Sequence, residues 1–396
     1  MRRLLLAALA SLAIAAAAID LRCGAHPEAA VAARVYPSYK PASPTAVVAT
    51  VPPRDPREVA MRKALRAQPE RVDLAVALAR ADIQRSRSLS DPRYLGRAQA
   101  TLARWYDLPE PPPDVRLMRA TIRQSLHDFT GARADLDRLV AERPDDGQAF
   151  LTRAVVSTIM ADYAAARDSC AHIARLTDPL IATTCVAPID GITGHVPEAY
   201  AALSSALDAA MGAPPLIRTW SITALAELSV MTGDLPAAAT QFRAVLALDA
   251  DDAYARSGLA DVLIWQGKPA EASALLAGRE VIDNLLVRRA IAEHLANGPE
   301  ADKWKRAMRD RIAAAAERGD RIHMREEAMF TLAVEGDAKK ALATALEDWS
   351  VQKEMADARL VASCAVAAHD LAAAEPVRAW IRTNHVADAQ LARLLP

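Results

Sequence analysis

Small and apolar residues recur along this chain at a spacing of about 34 residues. The stretch GDLPAAATQFRAVLALDADD, from Gly233 to Asp252, contains a glycine at a predicted turn, a predicted helix of small residues and aspartates that end this helix. Related stretches occur on both sides of it. Aligning them places nine turns at Arg93, His127, Ala161, Gly194, Gly233, Gly267, Gly298, Gly336 and His369. The repeated pattern therefore predicts that each unit forms a helix, a tight turn and a second helix.

Two positions after each turn determine how the helices pack. Five residues after the turn, eight of the nine units have alanine, and Lys303 is the exception. We expect this residue to lie where the second helix crosses the first, because a larger side chain would push the two helices apart. Four residues further on, six units have leucine, phenylalanine or cysteine, which fall on the same helical face and fill the core. The turn itself favours glycine because the chain must leave the right-handed conformation there.

This pattern resembles the tetratricopeptide repeat family over roughly residues 71–384. The resemblance implies an all-α fold, a right-handed superhelical solenoid of antiparallel helix pairs spanning residues 57–396, with the unit at Gly298 degenerate. A helix over 57–67 precedes the first full unit. The sequence departs from the family in its first helices, which lack the usual tryptophan four residues into the repeat. Insertions before Gly233 and Gly336 shift the register.

The resemblance also implies a binding groove, which the first helix of each unit lines. By this resemblance, the groove positions lie 13, 10, 6, 3 and 2 residues before the turn. In two adjacent units, these offsets include the predicted partner-binding residues Trp220, Thr223, Glu227, Met231, Tyr254, Ser257, Asp261 and Trp265. Aromatic, acidic and methionine side chains together suit an apolar or basic peptide. The alternative is that the three aromatic residues only pack between neighbouring units.

Some cytosolic members of the family clamp a partner's C-terminal carboxylate with lysines and asparagines. The matching positions in this chain hold Leu151, Thr184, Thr223, Ser257 and Arg288. A cytosolic chaperone adaptor is therefore not expected.

The N-terminal residues predict export. The segment MRRLLLAALASLAIAAAAID has two arginines followed by an uncharged apolar run, as in a signal peptide. That run of sixteen residues spans about 24 Å as a helix, less than the roughly 30 Å hydrocarbon core of a bilayer. We therefore expect residues 1–25 to be a signal peptide, with cleavage after Ala18, and an uncleaved N-terminal anchor is the alternative. Residues 26–56 are rich in proline and predict a linker. The predicted location is periplasmic or exported, with an inner-membrane anchored form facing the periplasm as the alternative.

Chemical signatures in the sequence are few. The histidines show no metal-ligand spacing, and no catalytic serine, nucleotide-binding or dinucleotide-binding motif occurs. No cofactor or metal is expected. The net charge of -1 without a clustered basic face argues against a nucleic-acid partner. Cys170 and Cys185 could join in an oxidising compartment, although unpaired cysteines are the expectation.

These observations predict a non-enzymatic protein-binding scaffold or assembly factor in the bacterial cell envelope, which captures partner segments in its groove. The alternative functions are a polysaccharide-binding component of an export machine, for which the groove aromatics would stack on sugars, and a purely structural spacer. A third alternative is an enzyme of unrecognised type, which would need a cluster of convergent polar groups that the sequence does not show.

Overall fold

The computed structural model describes residues 55–89, 92–317, 319 and 321–395. The predicted signal segment and nearly all of the predicted linker lie outside the described residues. Across the described part of the chain, regular structure is helical and no strand occurs. The predicted all-α solenoid of antiparallel helix pairs is thereby confirmed. No described helix is both long and apolar enough to cross a membrane.

Twenty α-helices follow one another within the described residues. The first ten are α1 Pro56–Ala67, α2 Val72–Leu89, α3 Arg93–Tyr106, α4 Pro113–Ser125, α5 Phe129–Glu142, α6 Gly147–Ile159, α7 Tyr163–Leu176, α8 Pro179–Ile192, α9 Val196–Ala209 and α10 Pro215–Thr232. The others are α11 Leu235–Leu248, α12 Ala253–Trp265, α13 Pro269–Leu276, α14 Asp283–Leu295, α15 Ala301–Glu317, α16 Met324–Phe330, α17 Ala338–Val351, α18 Met355–Ala367, α19 Glu375–Asn384 and α20 Ala389–Leu394. A π-helical segment, Thr331–Glu335, extends α16, and a short 3-10 helix precedes α19.

The described helices form nine consecutive pairs, from α2–α3 to α18–α19. Seven of the predicted turn residues have the expected left-handed backbone conformation. They are His127, Ala161, Gly194, Gly233, Gly267, Gly336 and His369. In five of these units the next residue is an aspartate whose side chain accepts a hydrogen bond from the backbone of the second helix, as Asp234 does from Ala237.

At two of the nine predicted turns, the predicted residue does not have the left-handed turn conformation. Arg93 is the first residue of α3, because Pro92 fixes the right-handed backbone conformation that starts this helix. In the degenerate unit Asn297, not Gly298, takes the left-handed conformation, with φ of 50°. Asparagine tolerates this conformation better than most residues.

The alanines of the repeat are buried where the two helices of each pair meet. All eight have at most 4% of their surface exposed, and the apolar residues four positions later are equally buried. Lys303 in the degenerate unit is exposed. Small side chains at these crossings therefore let each helix pair close, as the sequence analysis predicted.

A disulfide bond joins Cys170 on α7 to Cys185 on α8, so the expectation of unpaired cysteines is wrong for this pair. Consecutive helices bring their Cα atoms to 5.7 Å, a separation that a disulfide can span. Cys364 is free and buried.

The last helices fold back against the turns of the middle units. The backbone N–H of Lys353 donates to the carbonyl of Ile159 over 2.9 Å. The indole N–H of Trp380 donates to the Tyr163 hydroxyl over 2.9 Å, within a core that combines residues of α6–α8 with residues of α16–α20. The unit that turns at His369 thus packs on the unit that turns at Ala161. We call these contacts the return interface.

Replacing Ala238 by leucine tests the small-residue crossing. Ala238 is fully buried between α10 and α11, so we expect the larger side chain to lower the free energy of unfolding by about 1–3 kcal/mol. Denaturant unfolding measures it. Ala244 lies exposed on the same helix, and its replacement by leucine is the matched control. Equal stability of the two variants would contradict the packing role of Ala238.

A double-mutant cycle tests the return interface. Tyr163→Phe and Trp380→Phe each remove one partner of a buried hydrogen bond, and each leaves the other partner unsatisfied. We expect a coupling energy of about 0.5–1.5 kcal/mol between the two substitutions, measured by denaturant unfolding of both single variants and the double variant. Strictly additive effects would mean that the two side chains do not interact in solution.

Candidate partner-binding surface

The predicted binding residues fall on α10 and α12, the first helices of two neighbouring units. Tyr254 and Trp265 project from α12 with 58% and 42% of their surface exposed. Trp220 is partly buried and packs against the core that contains the return interface. The packing alternative therefore describes Trp220 better than it describes Tyr254 and Trp265. Thr223 is also partly buried.

Two of the predicted residues cannot reach a partner in this conformation. Met231 belongs to the core between α8 and α10 and is 6% exposed, because its position two residues before the turn faces the preceding unit. Ser257 is 5% exposed, and its hydroxyl donates to the carbonyl of Tyr254 within the helix. We therefore remove Met231 and Ser257 from the candidate surface.

Helices α16 and α18 bring further side chains close to α10 and α12. We define the inner wall as the surface around Glu227, Tyr254, Trp265 and Arg359. The guanidinium of Arg359 on α18 lies over the Trp265 ring, 5.9 Å from its centroid, and also binds the Asp388 carboxylate at 2.5 Å. This cation–π contact connects two units that are far apart in the sequence.

Glu227 lies at the centre of the inner wall. Its carboxylate accepts a hydrogen bond from the Tyr254 hydroxyl. The pKa of Glu227 is raised to about 6, mainly because the carboxyl is buried, and the charge of Glu354 raises it further. The Tyr254 hydrogen bond and the positive charge of Arg359 lower the pKa and partly offset this rise. The carboxyl group is therefore ionised at pH 7 but titrates closer to neutrality than an exposed glutamate does.

Arginine–aspartate pairs link the first helices of successive units along the same side of the protein. Asp261 on α12 accepts two hydrogen bonds from Arg288 on α14, at 2.9 and 2.6 Å. Arg325 on α16 binds Asp357 on α18 at 2.5 and 2.9 Å. Because such bidentate pairs neutralise both partners, Asp261 is less available to a binding partner than the sequence analysis assumed.

Asp348 on α17 lies beside this network and is almost fully buried. Burial, together with the charge of Asp357, raises the pKa of Asp348 to about 8. Its carboxyl group is consequently protonated at neutral pH, which avoids a second negative charge next to Asp357.

The contribution of α16 and α18 was not predicted from the sequence, although the repeat register contains part of it. Arg359 lies ten residues before the turn at His369, which is a groove position by the same offset that selected Thr223 and Ser257. Glu354 and Arg325 lie outside those offsets. Within the described residues, no group of three histidine, cysteine, aspartate or glutamate side chains is placed to hold a metal ion.

The architecture defines a class of protein, the helical-repeat solenoid. Residues 229–280, from the end of α10 through α13, match the sequence model of the tetratricopeptide repeat. The repeat predicted from the sequence is therefore confirmed over these residues. Such repeats generally mediate protein–protein interactions. A search of curated proteins gave no match to the chain.

Several solved structures resemble the chain at low sequence identity. PilW, a widely conserved type IV pilus biogenesis factor, is 15% identical, and the match covers 51% of this chain and 94% of that chain with a TM-score of 0.41. A Rap protein in complex with competence and sporulation factor is 15% identical, covering 82% and 99%, with a TM-score of 0.48. A tetratricopeptide repeat protein from Parabacteroides merdae is 13% identical, covering 74% and 98%, with a TM-score of 0.38. These likenesses are too distant to carry an argument about partners.

The raised pKa of Asp348 predicts a pH-dependent stability. The folded state binds one more proton than the unfolded state between pH values of about 4 and about 8, so the contribution of this group to the free energy of unfolding falls steadily across that range and does not change further above it. Asp348→Asn imitates the protonated carboxyl, and we expect it to weaken the loss of stability between pH 5 and pH 8 in urea unfolding. Asp302→Asn, at an exposed position, should leave that loss unchanged. An unaltered pH dependence in Asp348→Asn would contradict the assignment.

Proposed function

We propose that this chain is a non-enzymatic protein-binding scaffold of the bacterial cell envelope, and that it captures a partner segment against the inner wall. The observation that carries the proposal is the exposure of Tyr254, which binds the Glu227 carboxyl, and of Trp265 on the same helix. Large aromatic side chains are frequent anchors of protein interfaces. Proteins of this fold are typically non-enzymatic scaffolds.

The rigidity of the surface supports the same function. Tyr254 is held by its hydrogen bond to Glu227, and Trp265 is held by Arg359, whose own position is fixed by Asp388. A surface that is already ordered loses little conformational entropy when it binds, so a flexible partner segment would carry most of the ordering cost.

Two features support the envelope location. The N-terminal segment has the charge and hydropathy pattern of an export signal. The Cys170–Cys185 disulfide is the kind of bond that persists in oxidising compartments such as the periplasm. An uncleaved segment anchored in the inner membrane would place the repeats on the same side.

Polysaccharide binding is the second candidate function, and the same exposed aromatics favour it. Tyr254 and Trp265 could stack on sugar rings, with Glu227 accepting hydrogen bonds from hydroxyl groups. The two candidates differ in the molecule that contacts Trp265.

In-cell photo-crosslinking from position 265 distinguishes these functions. With a photoreactive phenylalanine analogue replacing Trp265, we expect a covalent adduct to a discrete envelope protein, identified by mass spectrometry. The same analogue at Leu248, which is exposed on the second helix α11, should not give this adduct. The double variant Tyr254→Ala/Trp265→Ala, tagged for affinity purification, should also fail to retain that protein.

The other outcomes decide against the proposal. Co-sedimentation of the purified protein with cell-surface polysaccharide, without a protein adduct, would establish the polysaccharide-binding function. Absence of both an adduct and polysaccharide binding would indicate a structural spacer.

A further inference from the structure

Negative charge exceeds positive charge around the inner wall. The side chains of this network come from α10, α12, α14, α16 and α18 and from the residues just before α18 and α20. They include five carboxylates and three guanidinium groups, namely Glu227, Asp261, Glu354, Asp357 and Asp388 against Arg288, Arg325 and Arg359. Each guanidinium group is bound to an aspartate of the same network. Glu227 is the carboxylate for which the described residues supply no ion pair.

One cation is already bound at the inner wall, the guanidinium of Arg359. The Arg359 guanidinium lies over the Trp265 ring and binds the buried Asp388 carboxylate, so an aromatic face and an acid contact it from two directions. Tyr254 is on the same helix as Trp265, eleven residues earlier, which is three helical turns and nearly the same face. Tyr254 and Glu227 thus offer a second aromatic face paired with an acid.

We infer that Tyr254 and Glu227 bind a lysine or arginine side chain of the partner segment, with the cation over the exposed tyrosine ring and in contact with the Glu227 carboxylate. This inference rests on the proposed protein-binding function and specifies the chemistry of the partner. A cation supplies the counter-charge that a partly buried carboxylate requires. Arginine fits better than lysine because its planar guanidinium stacks on an aromatic ring and hydrogen-bonds a carboxylate simultaneously.

The site should respond to pH through Glu227. The charged and titratable groups that face this carboxyl are Tyr254 from α12, Glu354 just before α18 and Arg359 on α18. With a pKa of about 6, Glu227 loses its charge between pH 7 and pH 5. Binding of a cationic segment should therefore weaken over this range.

A phage-displayed library of random twelve-residue peptides, selected on the full chain at pH 7.5, tests the inference. We expect the enriched peptides to share a lysine or arginine. The strongest binder is then synthesised in two forms, one with that cation and one with an uncharged replacement of similar shape, citrulline for arginine or acetyl-lysine for lysine. Isothermal titration calorimetry measures their dissociation constants.

Matched protein variants complete the experiment. Glu227→Gln keeps an oxygen that accepts the Tyr254 hydrogen bond but removes the charge, and we expect roughly tenfold to hundredfold weaker binding of the cationic peptide. The uncharged peptide should bind wild-type protein and Glu227→Gln equally. Glu271→Gln, on the exposed surface of α13, removes the same charge elsewhere and should leave the affinity unchanged.

Each remaining outcome decides against the inference. Peptides that bind wild-type protein without a shared cation, or a cationic peptide that Glu227→Gln binds as tightly as wild type does, would overturn it while leaving the protein-binding function intact. If Glu227→Gln does not fold, the peptide comparison on wild-type protein still decides, because equal affinity of the two peptide forms would overturn the inference. Failure of every peptide to bind would overturn the proposed function together with it.

Discussion

The close crossing of two helices over a buried alanine is the constraint on which this structure depends. Ala238 and its counterparts allow each pair of helices to approach closely, and the left-handed turn before them sets how the second helix returns along the first. Because the same geometry recurs in each unit, small rotations between units add up along the chain. The inner wall and the return interface are both products of that accumulated rotation.

Local features of the fold were predictable from the sequence because they are encoded within one unit. The positions of His127, Gly233 and His369 follow from the repeat alignment, and each has the left-handed conformation. The return interface was not predictable. Tyr163 and Trp380 are 217 residues apart, and their contact depends on the summed rotation of several units, including the shifted register of the insertion before α10.

The candidate site was predictable only in part, for the same reason. Fixed offsets from the turn identified Glu227, Tyr254 and Trp265, but an offset does not reveal which side chains a neighbouring unit covers, so Met231 was chosen although it lies in the core. Offsets from the turn also describe each repeat unit separately and give no contacts between distant units. They could not show that Arg359, contributed by a distant unit, would lie over Trp265 and alter the charge that a partner meets.

The return interface also limits how this chain can vary in length. Most solenoids can gain or lose a module, since each module contacts only its immediate neighbours. In this protein the loop before α18 meets the end of α6, so the number of modules between them determines which surfaces coincide. Deleting or duplicating one of those modules would bring the wrong faces together, and relatives that preserve this closure should therefore preserve the module count between α6 and α18.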